Sequence, residues 1–219
     1  SDFVQQQSVE CRFDSSDSWV ILSPIEQSIK RKIESVGTPL KDWDIQINYG
    51  IKTGFNDAFI INTEKRNEIL DNCSSEEERT KTAELIRPIL RGRDIKRYGY
   101  DWANLWLINT HNGIKGIKPR IDINDYPAVK AHLDQYWDKI SKRADKGDTP
   151  YNLRNCAYLD DFLLPKIVYP NMTKYLPFVY DDKKHLTNQK CFIITGENVA
   201  FLTAFFNSSL FKFCFRDSF

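Results

Sequence analysis

The chain has 219 residues, of which 41% are apolar and 28% charged, and its formal net charge is +1. This composition is typical of a globular protein with one substantial core. Because affinity for phosphates comes from many neutralised charges, the near-zero balance argues against an indiscriminate polyanion binder. It still permits a sequence reader whose positive charge lies on one face.

The cysteines are odd in number, widely spaced and without a Cys-x-x-Cys pair; they are Cys11, Cys73, Cys156, Cys191 and Cys214. They predict neither a zinc site nor a disulfide framework, and they indicate a reducing cytoplasm. The first residues lack the pattern of a signal peptide, and no stretch approaches the roughly 20 apolar residues that span a bilayer. We therefore expect a cytoplasmic protein with no membrane partner.

The first predicted element is a helix that begins at Ser23-Pro24-Ile25-Glu26, a capping box with proline at the first helical position, and ends at Gly37. Residues 43–49 then alternate between apolar and polar, which predicts a half-buried strand. Gly50 and Gly54 bend the next segment, and residues 58–61 read as the partner strand of a hairpin. We call residues 50–56 the glycine loop.

A second helix is predicted from Ser74 and Ser75 to about Ile86. The basic run at residues 90–98 follows, and residues 85–100 carry five basic side chains against Asp94 alone. A strand at residues 105–108 and a long helix over residues 127–147 come next, the helix having an apolar stripe of Val129, Leu133, Trp137 and Ile140.

Three further strands are predicted at residues 166–169, 178–180 and 191–194. Residues 197–219 predict a helix that is apolar on nearly every side, and such a helix is buried on several faces. We expect it to pack on a partner surface or on a part of the protein outside this sequence. The order of elements predicts an α+β fold, in which helices pack on a curved mixed or antiparallel sheet within a single domain of residues 1–219.

Catalytic patterns are largely missing from the sequence. The nine glycines include no Gly-x-Gly turn for a nucleotide cofactor, and Tyr169-Pro170-Asn171-Met172 has the wrong order for a motif that holds a flipped adenine. His111, His132 and His185 lie far apart, and no Gly-x-Ser-x-Gly turn is present. We therefore expect no catalytic residue, cofactor or metal within this chain.

Two alternatives remain open at this point. A metal-dependent nuclease uses an Asp/Glu-x-Lys pair, which Asp94-Ile95-Lys96 and Asp182-Lys183-Lys184 match. A non-catalytic protein-interaction module would use the apolar segment 197–219 as its docking surface.

DNA recognition is the interpretation that the loops favour. Asparagine can bond adenine in the major groove, and arginine or lysine can bond guanine or phosphate. The candidates for base or phosphate contact are Lys52, Thr53 and Asn56 in the glycine loop; Arg91, Arg93, Lys96 and Arg97 in the basic run; and Asn171, Lys174 and Lys190 further on. Thr173, Tyr175, Asn188 and Gln189 accompany the last group.

Three blocks of this chain resemble one family. They are Gly50-Ile51-Lys52-Thr53-Gly54-Phe55-Asn56-Asp57-Ala58-Phe59; the run from Ile86 to Tyr98; and Pro165-Lys166-Ile167-Val168-Tyr169-Pro170. Their order is similar to that of the TaqI-like C-terminal specificity domain, the target recognition domain of adenine-N6 DNA methyltransferases and type IIG restriction-modification enzymes.

The resemblance implies a DNA target recognition domain that works beside a methyltransferase domain of the same parent chain. Its partner would be double-stranded DNA, whereas S-adenosylmethionine and Mg²⁺ would belong to the parent enzyme. The bacterial cytoplasm is the expected location. This chain lacks the cofactor turn and the base-flipping motif, so the resemblance implies a fragment without activity of its own.

Overall fold

The structure is a computed structural model that describes Ser8 and residues 22–216. Cys11 and residues 217–219, which figured in the sequence predictions, lie outside the described residues. The chain divides into two compact units. One comprises the described residues up to Asp44 together with those from Ser208 onward, and the other comprises Ile45–Asn207.

The first unit contains helix α1, Pro24–Val36, and helix α8, Ser209–Arg216. The predicted capping box of α1 is present: the Ser23 side chain accepts from the Glu26 N–H at 3.3 Å, and Glu26 accepts from the Ser23 N–H at 2.8 Å. The helix ends before Gly37, as predicted. Both signals are local in sequence, which is why the sequence alone specifies them.

The second unit contains all the strands of the described residues and six of the helices. The helices are α2 (Asn56–Phe59), α3 (Thr63–Asp71), α4 (Glu76–Leu85), α5 (Pro127–Asp134), α6 (Trp137–Ile140) and α7 (Val199–Phe206). The strands are β1 (Ile45–Tyr49), β2 (Ile60–Asn62), β3 (Ile86–Leu90), β4 (Ile95–Lys96), β5 (Gly99–Tyr100), β6 (Leu105–Ile108), β7 (Lys166–Pro170), β8 (Val179–Asp181), β9 (Leu186–Thr187) and β10 (Cys191–Gly196).

The strands form two four-stranded sheets and one short hairpin. The first sheet has the order β1-β10-β7-β8 and is antiparallel throughout. The second has the order β2-β6-β3-β9, in which only β3 and β9 are parallel. Strands β4 and β5 form the hairpin. The predicted α+β class with mixed and antiparallel sheets is confirmed.

The predicted hairpin across the glycine loop is wrong. Strand β1 pairs with β10, with Ile47 opposite Ile194, and β2 pairs with β6, with Ile61 opposite Trp106. The glycine loop therefore crosses from one sheet to the other instead of turning back on itself. Alternating apolar residues specify that a strand forms, but they do not specify which strand it pairs with.

Two predicted long helices are each divided. The helix over residues 127–147 is interrupted between α5 and α6. Val129, Leu133 and Ile140 of its predicted apolar stripe are fully buried, but Trp137 of the same stripe is 44% exposed. The apolar helix over residues 197–219 is replaced by α7 and α8, with α7 ending at Phe206. Leu202 and Phe206 are buried on α7, whereas Phe201 is 70% exposed, so α7 is not buried on every side.

The core of the second unit lies against both sheets and includes Phe59, Ile89, Leu107, Phe162 and Ile193. Among the described residues no helix is long and apolar enough to cross a membrane. The packed sheets leave their connecting loops at the surface, and these loops carry most of the residues proposed for recognition.

Candidate nucleic-acid interface

The turn at residues 187–191, between β9 and β10, is where the glycine loop and the basic run meet. The Ile51 N–H donates to the Thr187 carbonyl at 2.7 Å, and the Asn188 N–H donates to the Leu90 carbonyl at 3.1 Å. On the far side of the turn, the Lys190 carbonyl accepts from Asn171 at 2.9 Å. Three segments that are distant in sequence are thus held against one turn.

Glycine is required at two of these contacts because the chains approach too closely for a side chain. A Cβ at Gly50 would lie 1.9 Å from the Asn188 carbonyl oxygen, and one at Gly92 would lie 2.9 Å from that of Lys190. Real Cβ atoms do not approach a backbone oxygen so closely. Gly50 therefore serves close packing of the backbone, whereas the sequence predicted that it serves a tight turn.

A groove of about 540 Å³ opens beside this turn. Its lining is drawn from the segment that follows β3, the start of β4, the end of β7, the β7–β8 connection and the turn. It consists of Arg91, Gly92, Arg93, Ile95, Pro170, Met172, Thr173, Pro177, Asn188 and Lys190. Three of these residues are cationic and none is acidic. We call this feature the basic groove.

Arg91 is fixed at the groove by a carboxylate behind it. Its Nε and Nη2 donate to Asp94 at 3.1 and 2.8 Å, and the backbone N–H of Arg91 donates to the same carboxylate at 2.8 Å. Asp94 is only 3% exposed. The hydrogen bond with Asp94 raises the pKa of the Arg91 guanidinium. The pair is close to neutral, so Arg91 supplies oriented N–H donors more than net charge.

Arg93 and Lys190 supply the uncompensated positive charge of the groove. Both are exposed, and neither belongs to any ion pair found among residues 22–216. The Lys190 backbone N–H donates to the Asn188 side-chain oxygen at 3.1 Å, which orders the turn that carries the ammonium group.

The other cations of the basic run do not line the groove. Lys96 Nζ lies 3.3 Å from the Arg93 carbonyl and 3.7 Å from Asp101. Arg97 Nη2 donates to the Asn207 carbonyl at 2.8 Å, and its guanidinium carbon lies 5.3 Å from the centre of the Tyr98 ring. The structure therefore divides a run that looks uniform in sequence. Asn171 and Lys174 are exposed on the connection at residues 171–176.

Thr53, which the sequence predicted to contact DNA, lies in the interior of the structure. The residue is 2% exposed, and its hydroxyl donates to the Asn56 side-chain oxygen at 2.6 Å. Its carbonyl accepts from the buried Arg143, which closes the underside of the loop. Lys52 and Asn56 remain exposed on the same loop. The loop tip is thus partly packed into the interior.

Arg143, which supports the glycine loop from the interior, was not identified from the sequence. Its guanidinium, 7% exposed, also donates to the carbonyls of Asp145 at 2.6 Å, Pro150 at 3.0 Å and Asn152 at 2.5 Å. Burial lowers its pKa to about 10. Arginine in a predicted helix usually faces solvent, so only the folded chain reveals this role.

A buried charged cluster joins β7, β8 and the residue that precedes β9. Lys166 Nζ lies 2.6 Å from one Asp181 oxygen, and His185 Nδ1 lies 2.8 Å from the other. Lys166 and Asp181 are at most 1% exposed. Burial raises the pKa of Asp181, but the hydrogen bonds and charges of His185 and Lys166 outweigh it and bring the value to about 2. Burial lowers the pKa of Lys166.

Asp94 and Asp182, the carboxylates of the two Asp-x-Lys pairs, do not have the arrangement that a metal-dependent nuclease would need. Asp94 is buried and bonded to Arg91, so its oxygens already have partners. Asp182 is exposed. Within the described part of the chain, no three His, Cys, Asp or Glu side chains are grouped as a metal site would need.

The sequence profile of the TaqI-like C-terminal specificity domain matches residues 87–219. Among solved structures, the chain is similar to the Type IIL restriction-modification enzyme MmeI, solved in complex with DNA, with a TM-score of 0.55 and 15% sequence identity. The similarity covers 81% of this chain and 22% of that one, so this chain spans about a fifth of the enzyme's length. A comparison with curated proteins gives no match.

Proposed function

Because the chain belongs to the TaqI-like C-terminal specificity domain family, we propose that it is the module that recognises a specific double-stranded DNA sequence for a restriction-modification enzyme. The observation that carries the proposal is the basic groove, where Arg91, Arg93 and Lys190 converge with no acidic residue in the lining. The likeness to an enzyme solved with DNA supports the same function.

Arg93 and Lys190 are assigned to phosphates. Each is exposed and carries an unpaired charge, which is the property that gives sequence-independent affinity. Arg91 is assigned to a base edge or to one fixed phosphate, because Asp94 holds its guanidinium in a single orientation. The near-zero net charge of the whole chain is compatible with these assignments, because binding needs an excess of positive charge only at the groove.

The remaining exposed candidates are assigned to secondary contacts with the duplex outside the groove. These are Lys52 and Asn56 on the glycine loop and Asn171 and Lys174 on the connection between β7 and β8. Lys96 and Arg97 bond to the protein's own carbonyls, and we assign Arg97 a structural role at Asn207.

We further propose that the parent enzyme is an adenine-N6 methyltransferase of the bacterial cytoplasm, alone or combined with a nuclease. The support is the family and the three sequence blocks that resemble it. S-adenosylmethionine would bind in the methyltransferase domain of that parent, since this chain has no Gly-x-Gly turn. Mg²⁺ would serve only a nuclease part of the parent.

Enrichment of a randomised duplex pool by the full chain tests the proposed function. We expect one sequence motif to be enriched, and we expect affinity for the enriched duplex to fall steeply as salt rises. Lys190→Ala should weaken binding to the enriched and to a scrambled duplex by the same factor. Lys115→Ala, an exposed lysine outside the groove lining, is the matched control and should change neither. Absence of both enrichment and salt dependence would overturn the proposal.

A further inference from the structure

The connection at residues 171–176 has ends that are firmly held. At its start, the Asn171 N–H donates to the Lys190 carbonyl at 2.9 Å. At its end, the Asn207 side chain accepts from the Phe178 N–H at 3.2 Å and donates to the Phe178 carbonyl at 2.8 Å. Asn207 is fully buried. The base of the connection is thus ordered by bonds to two other segments.

The tip of the same connection presents apolar surface to solvent. Met172 is 85% exposed, more than any other large hydrophobic side chain among the described residues, and Tyr175 is 71% exposed. Single exposed hydrophobic residues are common on protein surfaces. Met172 differs from them by its position, since it lines the basic groove together with Thr173 and Pro177.

The groove pairs this apolar side chain with the cations that the proposed function assigns to phosphates. A surface with positive charge and one protruding apolar residue is complementary to a duplex, whose phosphates flank an apolar stack of bases. Methionine is unbranched and adaptable, so it can enter a narrow gap between flat surfaces. Apolar wedges of this kind, methionine included, unstack base steps and bend the duplex.

We propose that Met172 inserts into one base step of the bound duplex and unstacks it. This inference rests on the proposed function, because the duplex must first occupy the basic groove. Tyr175 is not assigned this role, since it does not line the groove and Lys174 Nζ lies 5.6 Å from its ring centre. The fixed ends of the connection keep the inserted side chain from being pushed aside.

The test uses the full chain and a duplex of about 30 base pairs enriched from a randomised pool by the wild type. 2-Aminopurine replaces each adenine of the two strands in turn, because it pairs with thymine as adenine does and its fluorescence rises when stacking is lost. We expect a several-fold rise at one step with the wild type and with Met172→Leu. Met172→Ser and Met172→Gln should abolish the rise and weaken binding roughly 3- to 10-fold, with the salt slope unchanged.

The matched control is Ile117→Ser. Ile117 is 78% exposed and lies outside the groove lining, so its replacement should leave both fluorescence and affinity unchanged. The thermal melting of every variant shows that it folds, and two polar replacements of Met172 guard against the failure of one.

The outcomes separate the inference from the proposed function. If the wild type binds with salt-dependent affinity but unstacks no step, or if Met172→Ser still unstacks one, the wedge is overturned and the proposed function stands. If the wild type binds no duplex, the proposed function fails and the wedge fails with it.

Discussion

The glycine loop and the basic groove both appear in the sequence as polar segments fit for DNA, yet the fold uses them differently. In the glycine loop, Thr53 turns inward and Arg143 bonds to its carbonyl from below. In the basic groove, Arg93 and Lys190 remain exposed and unpaired beside an ordered turn. The difference teaches that the same kinds of polar loop residue can pack inward or stay exposed, and that only the folded chain separates the two outcomes.

The largest expected effect comes from the support of the glycine loop. Arg143→Met should lower the free energy of unfolding by about 3 kcal/mol, because four carbonyls lose a charged donor. Urea denaturation measures this. Arg154→Met is the control: that side chain is 54% exposed in its pair with Asp145 and should cost less than about 1 kcal/mol. Equal losses for the two variants would contradict a special role for Arg143.

The stability that the buried Lys166–Asp181–His185 cluster contributes should depend on pH. The pKa of Asp181 lies at about 2, below its ordinary value of 3.8, so the folded carboxylate binds its proton less readily than the unfolded one. Its contribution of about 2 kcal/mol is therefore complete above about pH 4 and is lost as pH falls toward 2. Carbon-13 NMR of the Asp181 carboxyl group during an acid titration measures the midpoint.

His185→Phe sharpens this prediction, because it removes the donor 2.8 Å from Asp181. The Asp181 midpoint should then move upward. A midpoint near 4 in the wild type, or one that His185→Phe leaves in place, would show that the buried cluster does not hold this charge.

The smallest expected effect distinguishes packing from recognition within the glycine loop. Thr53→Val removes the hydroxyl that donates to Asn56 and should cost about 1 kcal/mol of stability without changing DNA affinity or specificity. Thr53→Ser keeps the hydroxyl and serves as the control. Relaxed specificity at one base position, with stability intact, would return Thr53 to the interface.

The sequence predicts much of the fold where the signals are local. The capping box at Ser23 and the strands β6, β7, β8 and β10 are specified by neighbouring residues, and the structure has them. The pairing of β1 is not local, since many strands share its apolar alternation and only assembly selects β10.

The site is predicted less completely, for the same reason. Arginine and lysine in loops indicate candidates, but whether a charge is free depends on partners elsewhere, as Arg97 shows at Asn207. Lys166 lies within a predicted strand, and its burial depends on Asp181, 15 residues further along the chain. The position of Met172 in the groove lining could not be predicted, because the sequence does not show which surface an apolar loop residue will join.

The salt dependence of DNA binding tests the central claim most directly. The double variant Arg93→Ala/Lys190→Ala should reduce the slope of log affinity against log salt by about two, because two phosphate contacts are lost. Lys115→Ala/Lys142→Ala removes two exposed lysines outside the groove lining and should leave the slope unchanged. Equal slopes for the wild type and the groove variant would contradict the assignment of the basic groove to DNA.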